Sequence, residues 1–204
     1  MATSARNGPV GVRQFEEAIH AGIRRAYQDY PVLSELDVKE APEYYLTVKI
    51  ADELKKLKLF VDLECSVKTT LKLAGAVQPG PIPTKLRGNG RFDFVAHSLG
   101  NKPRFLGEVK HPVGVISRLD KDLERICGVL NHGRSNSFQS GVIAFYAFKK
   151  KRAGSVEALQ KLIDELQKRC TIASSESSCN VRMSWKSLAK HDDYASASVC
   201  MLIS

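Results

Sequence analysis

The chain reads as an α/β protein with a mixed central β-sheet flanked by helices. Two observations predict this class. Segments with an apolar residue every three or four positions are interspersed with segments of alternating or continuous apolar residues. The run GVIAFYAF, Gly141 to Phe148, is wholly apolar and of strand length, as expected of a strand buried on both faces. At 204 residues, with 43% hydrophobic and 26% charged residues, the chain is long enough for one domain with a sizeable core.

Residues 1–11 are small, polar and Gly/Pro-bearing, and read as a flexible N-terminus ahead of one domain spanning 12–204. Val12, Phe15, Ile19, Ile23 and Tyr27 form one face of an amphipathic helix, which Pro31 is expected to stop. Val32 to Ala41 is acidic and irregular. Pro42 suits the first turn of a second helix, Glu43 to Lys58, with Leu46, Ile50 and Leu54 inward. Glu43 at its start has two readings, a residue favoured by the helix dipole or an acid facing a site. Glu53 reads as a surface partner of Lys56.

Leu59 to Val67 alternates as a strand, with Glu64 on the face opposite Leu63. Lys68 to Gly90 holds Pro79, Pro81 and Pro83 among four glycines and reads as a loop. Its cations, Lys85 and Arg87 among them, give it two readings: a basic arm against a phosphate backbone, or a plain insertion.

RFDFVAH, SLGNKP and RFLGEVK, residues 91–110, read as strand, turn and strand. Alternation puts Phe92, Phe94 and Ala96 on one face, with Asp93 and Val95 on the other. Leu106, Glu108 and Lys110 share a face opposite Phe105, Gly107 and Val109. A hairpin brings Asp93 beside Glu108, so two carboxylates and an ammonium converge. That set suits a hard divalent cation, Mg²⁺ with Mn²⁺ as an alternative, held by Asp93, Glu108 and the carbonyl of Val109. Lys110 is then placed to act on a water or on developing phosphate charge. A bare surface hairpin with one Glu–Lys pair is the plainer reading of the same residues.

Asp93 in RFDFVAH and Glu108-Val109-Lys110 in FLGEVK, with 14 residues between the acids, resemble the motif of the PD-(D/E)xK nuclease superfamily. Phe92 stands where the family's name has Pro. The resemblance implies a restriction endonuclease-like core from about residue 43 to residue 170 and metal-dependent hydrolysis of phosphodiesters. It also implies an additional acid on the helix before the first strand, a position that Glu43 fits. In the family the helix after the ExK motif packs beside the site. This makes Arg118, Lys121 and Arg125 candidate phosphate contacts, with a solvated face as the alternative.

Ile116 to Leu130 reads as that helix, after a strand broken by Pro112 and Gly114, and Asn131-His132-Gly133 ends it. Lys149, Lys150, Lys151 and Arg152 close the apolar strand, as phosphate contacts or as a solvated end. Ser155 to Arg169 is a helix with Ser155 as N-cap, Thr171 to Asn180 is a loop, and VRMSWKSL and ASASVCMLI are late strands.

The net charge of +9 and pI near 9.4 favour an anionic partner, with nucleic acid, DNA first, the usual one. Five cysteines, an odd number without CxxC spacing, point to a reducing compartment and away from zinc or a disulfide framework. No apolar run approaches the ~20 residues of a membrane span, and MATSARNGPVG lacks the apolar core of a secretory signal. The expected location is intracellular and cytoplasmic. There is no GxxxxGK[ST] or HExxH motif. Besides the enzyme, the class of function that fits is a nuclease fold without activity that binds nucleic acid through its basic surface.

Overall fold

The structure is a computed structural model and describes residues 9–76, 80–98, 100–113, 119–132, 137–151, 153–191 and 193–204. Among these the elements run α1 (Val12–Ser34), α2 (Glu43–Lys56), β1 (Phe60–Ser66), α3 (Val67–Leu73), β2 (Arg91–His97), β3 (Pro103–Val113), α4 (Asp120–Leu130), β4 (Ser140–Lys150), α5 (Ser155–Glu176), β5 (Val181–Lys190) and β6 (Tyr194–Ile203). Short 3-10 turns cover Val38–Glu40 and Thr84–Leu86.

The six strands form one mixed sheet in the order β1-β2-β3-β4-β6-β5. Only β3 and β4 are parallel, joined by the crossover that carries α4; every other pair is antiparallel. The expected mixed sheet between helices is therefore present, and β4 is interior, which explains its unbroken apolar run.

Two apolar layers sandwich the sheet. Phe15, Ile19 and Ile23 of α1 and Leu46, Ile50 and Leu54 of α2 pack with Phe94, Phe105, Val109, Val142 and Tyr146 on one face. Leu71 of α3, Leu123 and Ile126 of α4 and Leu162, Ile163 and Leu166 of α5 pack with Val95, Leu106, Ile143, Phe145 and Val199 on the other. Gly22 sets the α1–α2 distance, because a Cβ there would lie 2.5 Å from Ile50 Cα.

Several boundaries differ from the sequence reading. α1 passes Pro31 and ends at Ser34; a proline in the last turn forfeits one helical bond rather than several, and Ser34 Oγ donates to the Tyr30 carbonyl at 2.9 Å. β3 runs through Pro112 to Val113, beyond the expected break, while Gly114 and the start of the expected α4 segment lie outside the described residues. α3 forms where a loop was expected: Ser66 accepts from Thr69 N at 3.1 Å, so the helix is capped. α5 continues through Glu176, with Gly154 as its N-cap. Ser155 is not the cap; its hydroxyl donates to the His191 carbonyl at 2.5 Å. Phe92 also departs from simple alternation. It packs in the α4–α5 layer, opposite Phe94 and Ala96, as Cys65 does opposite Leu63. The two neighbouring strands change side together at Asp93 and Glu64, where Glu64 has φ 52°.

Candidate active site

The site lies where β2 and β3 separate. Phe94 pairs with Gly107, but beyond that pair the last ladder donors of β3 go to side chains. Val109 N donates to Asp93 Oδ2 at 2.6 Å, and His111 N donates to Glu43 Oε2 at 3.0 Å. Asp93 on β2 and Glu43 at the start of α2 therefore satisfy backbone groups that would otherwise be orphaned. In an extended strand a residue's N–H and C=O point to the same side, so the Val109 carbonyl also faces the gap holding Asp93.

Glu108 points to the α4 side with Leu106 and is 3% exposed. Lys110, next on that face, places Nζ 3.5 Å from Glu108 Oε2, 3.5 Å from Asp122 Oδ2 and 3.8 Å from Glu43 Oε1. From α4, Arg125 Nη2 contacts Glu108 Oε1 and lies 3.2 Å from Asp122 Oδ1. Its Nη1 donates to the Arg91 carbonyl at 3.2 Å, and its guanidinium lies 5.2 Å from the Phe92 ring centre. Four carboxylates (Glu43, Asp93, Glu108 and Asp122) thus surround two cations, Lys110 and Arg125, and with every group ionised they would carry two negative charges in excess.

The titration of the cluster reflects that excess. Burial, with the nearby Asp93 charge, pushes Glu108 up to about 8 against the pull of Arg125 and Lys110. Burial also raises Asp93, against its bond from Val109 N and the charge of Lys110, and Glu64 and Asp122 add to the rise. Glu43 is raised for the same first reason. For Lys110 burial acts downward, but Asp122, Glu43, Glu108 and Asp93 together outweigh it and hold the ammonium above its ordinary value.

The side chains as they stand form no group of three or more His, Cys, Asp or Glu set to hold a metal ion, among the described residues. The contacts explain why. Both Glu108 oxygens face cations of the chain, and Asp93 and Glu43 each give one oxygen to the backbone. The donors nonetheless suit a hard divalent cation: they are carboxylates with a carbonyl beside them, and when all are ionised they exceed the chain's own cations by the charge of one such ion.

The other sequence candidates separate. Arg125 is only 4% exposed and ion-paired, so it is not the solvent-facing phosphate contact expected from its helix position. Lys121 is exposed and lines, with Lys85, a cleft of about 710 Å³ between α4 and α5; none of the four carboxylates lines it. Arg87 lines a second hollow of about 590 Å³ with Lys68 and Gly90. Lys149 is half-buried and Lys150 and Lys151 are exposed at the end of β4; Phe145 of β4 is the register partner of Lys110, so they lie several residues farther along. Arg118 and Arg152 lie outside the described residues. Glu53 bonds Lys56 at 2.5 Å and Arg25 at 3.4 Å. His111 faces away from Lys110, packing on Tyr146 with Nε2 2.7 Å from the Val38 carbonyl. Asp122 gave little sign of a site role in the sequence; its spacing of three from Arg125 is the one local signal, and only the packing of α4 brings it to Lys110.

All five cysteines are free thiols, and among the described residues no helix is long and apolar enough to cross a membrane. No protein-family model, curated protein or solved structure matches this chain.

Proposed function

We propose that the chain is a metal-dependent phosphodiesterase acting on nucleic acid, DNA first, built on a restriction endonuclease-like core. The observation that carries this reading is the gathering of buried carboxylates around Lys110, at a gap where two strands part and a backbone carbonyl faces in. Asp93, Glu108 and the Val109 carbonyl would hold Mg²⁺ or Mn²⁺, with Glu43 nearby. The bound ion would polarise a phosphate oxygen and lower the pKa of a water.

The chain's own residues supply the rest. Asp93 keeps one carboxylate oxygen on Val109 N, which fixes its orientation and leaves Oδ1 for a ligand. Glu43 does the same through His111 N. Lys110 stays protonated near neutral pH among its carboxylates, so it orients an attacking water or stabilises phosphate charge rather than accepting a proton. Lys149, Lys150 and Lys151 on one side and Lys85, Arg87 and Lys121 on another are the cations available to the backbone of a long substrate.

A second reading, an inactive nuclease fold that binds nucleic acid, is favoured by one observation. Arg125 and Lys110 already face both oxygens of Glu108, as expected of a site neutralised by protein cations. The two readings separate when the protein is incubated with plasmid DNA, linear DNA and RNA in Mg²⁺, Mn²⁺ or EDTA. Cleavage that needs the metal supports the enzyme. Salt-sensitive binding without cleavage of any of the three supports the binding module.

A further inference from the structure

We infer that Arg125 is a displaceable counter-cation: its guanidinium must leave Glu108 before a divalent cation can bind there, and a phosphate of the nucleic acid draws it away. This rests on the enzyme reading above and deepens it, since it makes metal and nucleic acid bind cooperatively.

Three features of the Arg125 environment support it. First, the pair with Glu108 is incompletely satisfied. Arg125 Nη2 is shared between Glu108 Oε1 and Asp122 Oδ1, and among the described residues Arg125 Nε is buried without an acceptor. A settled buried ion pair needs its remaining donors and lone pairs satisfied, or desolvation outweighs the attraction. Second, of the two cations on Glu108, Arg125 is the one with other anchors besides carboxylates. Lys110 is held by three acids, whereas Arg125 keeps the Arg91 carbonyl, the Phe92 face and Asp122 when Glu108 is withdrawn.

Third, there is a place for the released guanidinium to meet an anion. Gly90 lines the 590 Å³ hollow, and a Cβ on Gly90 would come within 3.3 Å of Arg125 Nη1. Among the described residues, the charged ones lining that hollow are Lys68 and Arg87, with no carboxylate. Arg125 does not line the hollow while it is paired with Glu108; released, its guanidinium would offer a phosphate there a fork of the kind that binds oxyanions in bidentate fashion. This also accounts for the mismatch between a helix-face cation expected to touch phosphate and a side chain found 4% exposed. Arg125 reaches phosphate only after Glu108 has been given another partner.

Coupling of this kind is reciprocal: whatever phosphate gains from the freed guanidinium, the metal gains from its departure. The test is calorimetric titration of the full chain with Mn²⁺, with and without a phosphorothioate DNA duplex, for the parent, Arg125→Gln, Arg125→Lys and Glu108→Gln. The duplex should tighten Mn²⁺ binding to the parent about tenfold, the size of an ordinary coupling. Arg125→Gln should bind Mn²⁺ about tenfold more tightly than the parent without DNA, and gain less than about twofold from the duplex, because the repelling charge is already gone. If Arg125→Gln does not fold, Arg125→Lys, which keeps the repelling charge but offers a phosphate no fork, should bind Mn²⁺ like the parent without DNA and gain less than the parent from the duplex. An Arg125→Gln protein that binds Mn²⁺ no more tightly than the parent without DNA, or either Arg125 variant keeping the parent's full response to the duplex, overturns the inference. If Glu108→Gln has meanwhile lost Mn²⁺, the enzyme reading stands. Absence of Mn²⁺ binding in every protein, the parent with duplex included, overturns both.

Discussion

Two buried residues give the protein opposite responses to pH. His20 is 1% exposed between α1 and the outer strands, with Nδ1 2.9 Å from Ser198 Oγ and Nε2 2.8 Å from Ser184 Oγ. Burial, helped by Lys186 and Arg24 and opposed by Glu16 and Glu17, lowers its pKa to about 4. The unfolded chain therefore binds a proton that the folded chain refuses. This contribution is whole above about 6.5 and is lost as pH falls toward 4, roughly 3 kcal/mol in all. Glu108 runs the other way. Its folded value near 8 lies above its unfolded one, so its contribution is whole below about 4.5 and is lost as pH rises to 8. Urea unfolding from pH 4 to 9 in EDTA should show both limbs. Glu108→Gln should remove the alkaline limb and stabilise the protein at pH 9 by on the order of 2–4 kcal/mol. His20→Asn should flatten the acid limb alone. An alkaline limb unchanged in Glu108→Gln would show that Glu108 ionises freely in the fold.

At the scale of elements, the site depends on how helices meet the sheet. Glu43 reaches Lys110 and His111 because α2 lies close against α1, and that approach passes through Gly22. Gly22→Ala puts a methyl against the Ile50 backbone, which cannot rotate away as a side-chain tip can. The expected cost is about 1–3 kcal/mol in denaturant unfolding. No change would mean that α2 shifts without cost. The β2–β3 hairpin, with Glu108 and Lys110 on one face, was legible because alternation and the Gly100-Asn101 turn are local signals. α3 was not legible: seven residues are too few to establish a 3.6 period, and the following prolines and glycines hid the Ser66 cap. The last turns of α5 were not legible because Thr171 to Glu176 is rich in weak helix formers; there Ala173 packs into the core, and the Thr171 and Ser175 hydroxyls donate to the Gln167 and Ile172 carbonyls of the same helix. Asp122 and the burial of Arg125 were illegible for a different reason. A charged helix face looks solvated until the strand it covers is known.

For the whole molecule, the sheet brings the ends of β3 and β4 to one edge, with the carboxylate cluster between β2 and α4 and lysines at the end of β4. If nucleic acid follows that edge, Lys149, Lys150 and Lys151 each release counterions on binding. Changing all three to Gln should weaken binding and reduce the slope of log K against log salt by about 0.9 for each duplex phosphate that is no longer neutralised. An unchanged slope would assign them to a solvated strand end. Chemistry at Asp93, Glu108 and Lys110 is tested by measuring Mn²⁺ binding and DNA cleavage side by side in the parent and three alanine variants. Asp93→Ala and Glu108→Ala should stay folded, lose the metal and lose cleavage. Lys110→Ala should keep the metal and lose about 10²–10³ in rate, since it acts on the water or the phosphate charge. Asp93→Ala and Glu108→Ala cleaving as fast as the parent, or a parent inert toward DNA and RNA with both Mg²⁺ and Mn²⁺, would show that these residues do not form a nuclease site.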